Sequence, residues 1–125
     1  MKTKGEIEAE ISDAMVKFEI EYMGRGPKEA QSHVIEDMVL VRLKGVLTPA
    51  EQQLTKSADG VELIKRMRST LIESARPILF QVVGDITGVK AVGLHTDIST
   101  VTGERIIVFT LDRDLESALP RKKSP

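Results

Sequence analysis

Two positive charges follow the first predicted helix closely, in the stretch GRGPK at residues 24–28. Arg25 and Lys28 can hold an anion, and free N–H groups would strengthen the site if a short helix began near Pro27. The alternative is that the glycines and the proline only end the helix and the cations are solvated. The spacing matches neither a phosphate-binding P-loop nor a dinucleotide fingerprint.

Two arginines further along the chain belong to the same candidate cluster. Arg42 lies between apolar side chains of a predicted strand, where a guanidinium requires a carboxylate or an anion. Arg68 lies on a long predicted helix, where a solvated face with i, i+4 partners is the competing interpretation. The predicted anion-binding residues are Arg25, Gly26, Lys28, Arg42 and Arg68.

A second cluster combines His95 with Asp97, two residues apart and therefore on one face of a strand. The pair could share a metal ion with a third group, or act with Arg42 on a small substrate. Alternatively, Asp97 only orients the imidazole. The pattern contains no recognisable triad, so we expect no catalytic residues, no metal and no cofactor.

The composition limits the classes of function. The chain has 125 residues, a formal net charge of −1, 41% hydrophobic residues and no cysteine, which excludes disulfides and thiolate chemistry. Aromatic residues make up 3% and tryptophan is absent, so nucleic-acid binding is not expected and stays an alternative that would use the basic tail and the long helix. Without a signal peptide or a spanning apolar run, we expect a cytoplasmic protein.

Local signals predict the elements that position these residues. Thr3 and Glu6 form a capping box at the start of a helix over about residues 4–23, which Gly24 ends. Thr48 caps a short helix that begins at Pro49. The further elements are a hairpin within residues 32–46, a long apolar helix ending at residues 87–88 with Pro77 inside it, and strands over residues 89–98 and 104–111.

The order α-β-β-α-α-β-β indicates an α+β fold of two layers, with a mostly antiparallel four-stranded sheet, helices on one face and a possible internal pseudo-repeat. We expect one domain over residues 1–115 and a flexible basic tail over residues 116–125. The stretches MVLV and IIVF are apolar on both faces of their strands. The uncovered face predicts a homodimer.

The combination of GRGP with L-x-G-x-L-T-x-x-E at residues 43–51 resembles the MpsC-like domain family, a small bacterial family named after a sodium-translocating, membrane-potential-generating system. The long arginine-bearing helix and FTL in the last strand add to the resemblance, which covers roughly residues 6–111. The resemblance assigns no role to single residues, and the positions that match the family's sequence pattern are Gly24, Arg25, Gly26, Pro27, Leu47, Thr48 and Glu51.

The resemblance implies an accessory role near sodium or bicarbonate transport and membrane energisation. A chain without a spanning segment cannot itself carry an ion across a bilayer. We therefore expect a non-enzymatic accessory or regulatory protein, with a membrane-protein partner and a small anion as candidate ligands. The alternatives are a small-molecule enzyme that uses His95, Asp97 and Arg42, and a nucleic-acid-binding module.

Overall fold

The computed structural model describes residues 2–120 and confirms the predicted α+β fold and order of elements. The helices and strands are α1 (Lys4–Met23), β1 (Glu29–Ile35), β2 (Met38–Lys44), α2 (Pro49–Leu54), α3 (Ala58–Thr87), β3 (Ala91–Ser99), β4 (Glu104–Leu111) and a 3-10 turn η1 (Glu116–Ala118). The strands form one antiparallel sheet in the order β1-β2-β4-β3.

The helix ends follow the predicted capping chemistry. Thr3 and Thr48 each accept a hydrogen bond from the backbone N–H of a glutamate three residues on, and both glutamates return the bond. Gly24 and Gly88 end α1 and α3 in the left-handed conformation. The helix α3 begins directly after the capping residue Ser57 and continues through Pro77.

One face of the sheet packs against α1 and α3. Alternation along β2 buries Val39, Val41 and Leu43 and leaves Met38, Leu40, Arg42 and Lys44 on the other face, as predicted. The core also takes the inward side chains of β4 and the apolar stripes of both long helices, including Ile11, Met15, Ile64, Ile72, Leu79, Ile107 and Phe109. No helix or strand covers the second face within residues 2–120.

Strand β3 departs from the predicted face pattern at its start. The alternation predicts Val92 on the same face as Leu94 and Ile98, but Val92 is 55% exposed while the other two are buried. The register shifts between Ala91 and Gly93, so Val92 is the extra residue of a β-bulge. The prediction for Val92 is wrong because a bulge reverses the alternation at that point.

Within the described residues, the segment after β4 packs against the rest of the domain. Leu115 is buried, and the Lys4 ammonium lies 2.8 Å from a Glu116 carboxylate oxygen. The backbone N–H of Lys4 donates to the carbonyl of Pro120. Residues 116–120, predicted as the start of a flexible tail, therefore belong to the domain, and the basic residues 121–123 lie outside the described residues.

Candidate functional site

The two sequence motifs meet at one corner of the molecule. The Arg25 guanidinium donates to the carbonyl oxygens of Leu47, at 3.2 Å, and Gly45, at 3.5 Å. These carbonyls belong to the loop of residues 45–48 between β2 and α2. The stretch GRGP is thereby tied to the loop inside L-x-G-x-L-T-x-x-E.

Lys28 passes over the same loop. Gly45 has a φ of 66°, which favours glycine, and a Cβ at this position would lie 2.8 Å from the Lys28 methylenes, so a larger residue would displace the lysine. The backbone N–H of Lys28 donates to the Lys44 carbonyl. The Lys28 ammonium has no ion-pair partner within residues 2–120.

Arg25 and Lys28 line an open cleft of about 310 Å³. The other lining residues are Gly45, Leu47, Gln52, Thr55, Thr100, Val101, Thr102 and Gly103. They come from the loop of residues 45–48, from α2 and from the β3–β4 loop. Among these described residues none is acidic, so the cleft carries two positive charges in a chain whose net charge is −1.

The cleft offers hydrogen-bond donors that suit an oxyanion. A guanidinium has five N–H groups, and Arg25 uses two of them in its bonds to the Leu47 and Gly45 carbonyl oxygens. Lys28, Thr100 and Thr102 line the same space, as does Thr55, whose hydroxyl donates to the Gln52 carbonyl oxygen at 2.7 Å. Charge-assisted hydrogen bonds of this kind are stronger than neutral ones.

A buried ion-pair network supports the loop from the other side. Arg68 donates from Nε and Nη2 to both carboxylate oxygens of Glu51, each at 2.7 Å, and from Nη1 to Glu19 at 3.0 Å. Its Nη2 also donates to the Val46 carbonyl, and Arg105 donates to the second Glu19 oxygen at 3.1 Å. The four charged residues are at most 3% exposed and carry two charges of each sign.

The network alters the ionisation of its members. Burial alone would raise the pKa of Glu51, but hydrogen bonds from Arg68 and the Thr48 N–H outweigh it, so the pKa of that carboxyl lies below its usual value. Burial lowers the pKa of Arg105, and the Glu19 carboxylate only partly offsets this effect. For Arg68 the two carboxylates outweigh burial and raise the pKa.

The structure brings together only part of the predicted anion cluster. Arg25 and Lys28 share the cleft, whereas Gly26 packs toward the Ile20 side chain of α1. Arg42 lies on the uncovered sheet face and pairs with Glu104 at 2.6 Å. The segment after Pro27 enters β1 and forms no short helix, so within residues 24–35 no helix N-terminus adds its N–H groups to the site.

Arg68 does not lie on a solvated face of α3, so the competing interpretation of this residue is wrong. The residue is 1% exposed and lies one helical turn from both Ile64 and Ile72, within the buried stripe of α3. The i, i+4 partner belongs instead to Arg66, which pairs with Glu62 at the surface.

The His95 and Asp97 side chains share the uncovered face of β3, as the two-residue spacing predicts. Asp97 lies 3.5 Å from the Lys65 ammonium and accepts a bond from the Ile98 N–H. Arg42 is opposite Ile106 in the register, and Ile106 is opposite Asp97, so a strand separates the arginine from Asp97. Within residues 2–120 no three potential metal ligands come together.

Sequence reasoning missed Glu19 and Arg105 and the hydroxyl groups of the cleft. A periodicity signal existed for the two charged residues. Glu19 follows Met15 by four positions on α1, and Arg105 alternates with Ile107 on β4, so both lie on buried faces. The threonines carried no such signal because only the tertiary fold brings α2 beside the β3–β4 loop.

Comparison with known proteins places these motifs in a family. The family described as "Na+-translocating membrane potential-generating system (MpsC)" matches residues 3–113. The chain belongs to the MpsC family. The match includes both motifs, the whole buried network and every residue that lines the cleft.

Two relatives of this MpsC-family chain come from Bacillus subtilis (strain 168). Uncharacterized protein YbcI is 44% identical over 120 residues, which cover 96% of this chain and 97% of the relative. Uncharacterized protein YrhF is 27% identical over 108 residues, covering 86% and 88%. No solved structure shows a significant match. In the part of the chain described here, no helix has the length and apolar character needed to cross a membrane.

Proposed function

We propose that this chain is a non-enzymatic accessory protein that binds a small oxyanion in the cleft lined by Arg25 and Lys28. The observation that carries the proposal is the cleft itself: two cations, the hydroxyl-bearing residues Thr100 and Thr102, and no carboxylate among its described lining residues. A site of this composition attracts an anion and repels a metal ion.

Two features of the geometry support a binding role over a catalytic one. The lining residues include no histidine, carboxylate or cysteine that could transfer a proton or attack a substrate. The supporting loop is fixed on its inner side by Arg68, which holds the Val46 carbonyl at 3.1 Å. A rigid cleft lowers the ordering cost of binding.

The family description supplies the physiological setting of the proposal. It names a Na+-translocating, membrane-potential-generating system. The resemblance to this family implies a role near sodium or bicarbonate transport, so bicarbonate is the first small oxyanion to test. We propose that the protein acts in the cytoplasm as a partner or regulator of a membrane protein in a sodium or inorganic-carbon system. Occupancy of the cleft would report the anion concentration to that partner.

Thermal shift with sodium bicarbonate, phosphate and sulfate, at ionic strength held constant with chloride, tests anion binding. An anion at a hundred times its dissociation constant adds about 2.7 kcal/mol to the free energy of unfolding, a shift on the order of 10 °C for a domain of this size. Lys28→Met keeps the methylenes over Gly45 and removes the charge. We expect its affinity to fall about tenfold or more.

Lys17→Met is the matched control, since Lys17 is exposed on α1 and does not line the cleft. It should bind the anion as the wild type does. If no anion raises the melting temperature, or if Lys17→Met and Lys28→Met lose affinity equally, the cleft is not the binding site.

A further inference from the structure

The uncovered face of the sheet presents a regular grid of side chains. The register places four residues side by side across β1, β2, β4 and β3 in each row. One row reads His33, Leu40, Val108, His95, and the next reads Gln31, Arg42, Ile106, Asp97. Leu40, Ile106 and Val108, with Met38, form a half-buried apolar centre on the two middle strands.

Charges of both signs border this apolar centre at one end. Arg42 pairs with Glu104, and Lys44 lies 3.8 Å from Glu29. Because the register pairs Leu43 with Arg105, Lys44 and Glu104 stand at the same height on neighbouring strands. The face is therefore apolar in the middle and electrically balanced at this end, which suits neither a nucleic acid nor an anionic membrane.

We propose that this face binds a second copy of the same chain, related by a two-fold axis that runs parallel to the strands between β2 and β4. This rotation places each β2 over the β4 of the other copy at the same height. Leu40 then faces Val108, and Lys44 faces Glu104, twice each by symmetry. At these two positions the face is self-complementary under this axis, as an isologous interface requires, while Arg42 lies over Ile106 of the other copy and keeps its pair with Glu104.

The size of the face predicts the strength of the dimer. Four strands at about 4.8 Å spacing, with seven residues in β2, outline about 450 Å² per copy. Stable complexes usually bury roughly 800 Å² per partner. Association should therefore depend on concentration in the micromolar range. This inference stands apart from anion binding, because the cleft residues lie at the loop corner and not on this face.

Two charge reversals test the axis. In Lys44→Glu a glutamate faces Glu104, and in Glu104→Lys a lysine faces Lys44, so neither variant should self-associate. Mixed in equal amounts, the two variants place Glu opposite Lys at both contacts and should form a heterodimer. Sedimentation velocity from 5 to roughly 500 μM measures all three samples beside the wild type.

Circular dichroism melting confirms that each variant is folded, and Lys17→Glu provides the same charge change away from the face. We expect a wild-type and Lys17→Glu dimer, monomeric single variants, and recovery of the dimer in the mixture. A monomeric wild type would overturn the proposal. So would a dimer that survives both reversals, which would point to a strand edge or to the exposed Leu63, Met67 and Ile78 of α3.

Discussion

Arg68 occupies a core position of α3 although it carries a charge. It is held there by two carboxylates from α1 and α2 and by a carbonyl of the β2–α2 loop. Loss of one partner from a buried ion pair leaves an uncompensated buried charge. This lowers the free energy of unfolding by more than a surface ion pair raises it. At the scale of single residues, the network fixes how the helices meet the loop beneath the cleft.

Arg68→Met should lower the free energy of unfolding by roughly 3–5 kcal/mol, because Glu19 and Glu51 stay buried without their main partner. Arg66→Met is the control on the same helix, and a change within about 0.5 kcal/mol is expected there because Arg66 pairs only at the surface. Urea unfolding measures both. Arg68→Lys retains the charge without the two-pronged geometry and should fall between them. Equal effects of the Arg66 and Arg68 replacements would contradict the account.

The lowered pKa of Glu51 predicts an acid-dependent loss of stability. Since the folded state holds the proton less tightly than the unfolded state, Glu51 stabilises the fold fully above about pH 4.5 and less as pH falls through its folded pKa. The wild type should therefore exceed Glu51→Gln in unfolding free energy at pH 7, and the gap should narrow toward pH 3. Urea titrations across this range provide the measurement. A gap independent of pH would mean that the pKa of Glu51 is the same in the folded and unfolded states.

The elements of the fold could largely be predicted because their ends carry local chemistry. Thr3 and Thr48 form capping boxes, and Gly24 and Gly88 take left-handed conformations, so these boundaries follow from neighbouring residues alone. The bulge at Val92 could not be predicted because the strand partner sets it. At this scale the packing between elements is what sequence pattern leaves open.

Gly60 illustrates such packing between α2 and α3. A Cβ there would lie 1.9 Å from the Leu54 carbonyl oxygen, so Gly60→Ala should destabilise the fold by about 1–3 kcal/mol although alanine favours helices. Gly5→Ala in α1 is the control, since nothing lies within 4 Å of its Cβ position and a gain of up to about 1 kcal/mol is expected. Thermal or urea unfolding of both variants measures these changes in stability. A stabilising Gly60→Ala would show that the α2–α3 contact is looser than described.

At the scale of the whole molecule, the fold brings distant parts of the sequence to one corner. The cleft takes Arg25 from the end of α1, Thr55 from the end of α2 and Thr102 from the β3–β4 loop. The spacing of GRGPK predicts Arg25 and Lys28, but Thr55 and Thr102, 30 and 77 positions after Arg25, join them only through the tertiary fold. The predicted cluster includes Arg42 and Arg68 because the sequence shows their charge. It does not show that Arg42 lies on the uncovered sheet face or that Arg68 is buried.

The two proposed binding surfaces lie in different parts of the molecule. The cleft lies at the loop end of the sheet, whereas the dimer face is the outer surface of its middle strands. Lys28→Met should therefore weaken anion binding and leave sedimentation unchanged. Loss of both properties in Lys28→Met would mean that binding and association are coupled.

Amide chemical shifts in a titration with bicarbonate and with phosphate test the anion cleft most directly, because they locate a ligand on the chain. We expect saturable shifts concentrated at Lys28, Gly45, Thr55, Thr102 and Gly103 in the wild type, and a markedly weaker response in Lys28→Met. Shifts scattered over exposed lysines such as Lys17, or no saturable shift at tens of millimolar anion, would contradict the proposed site.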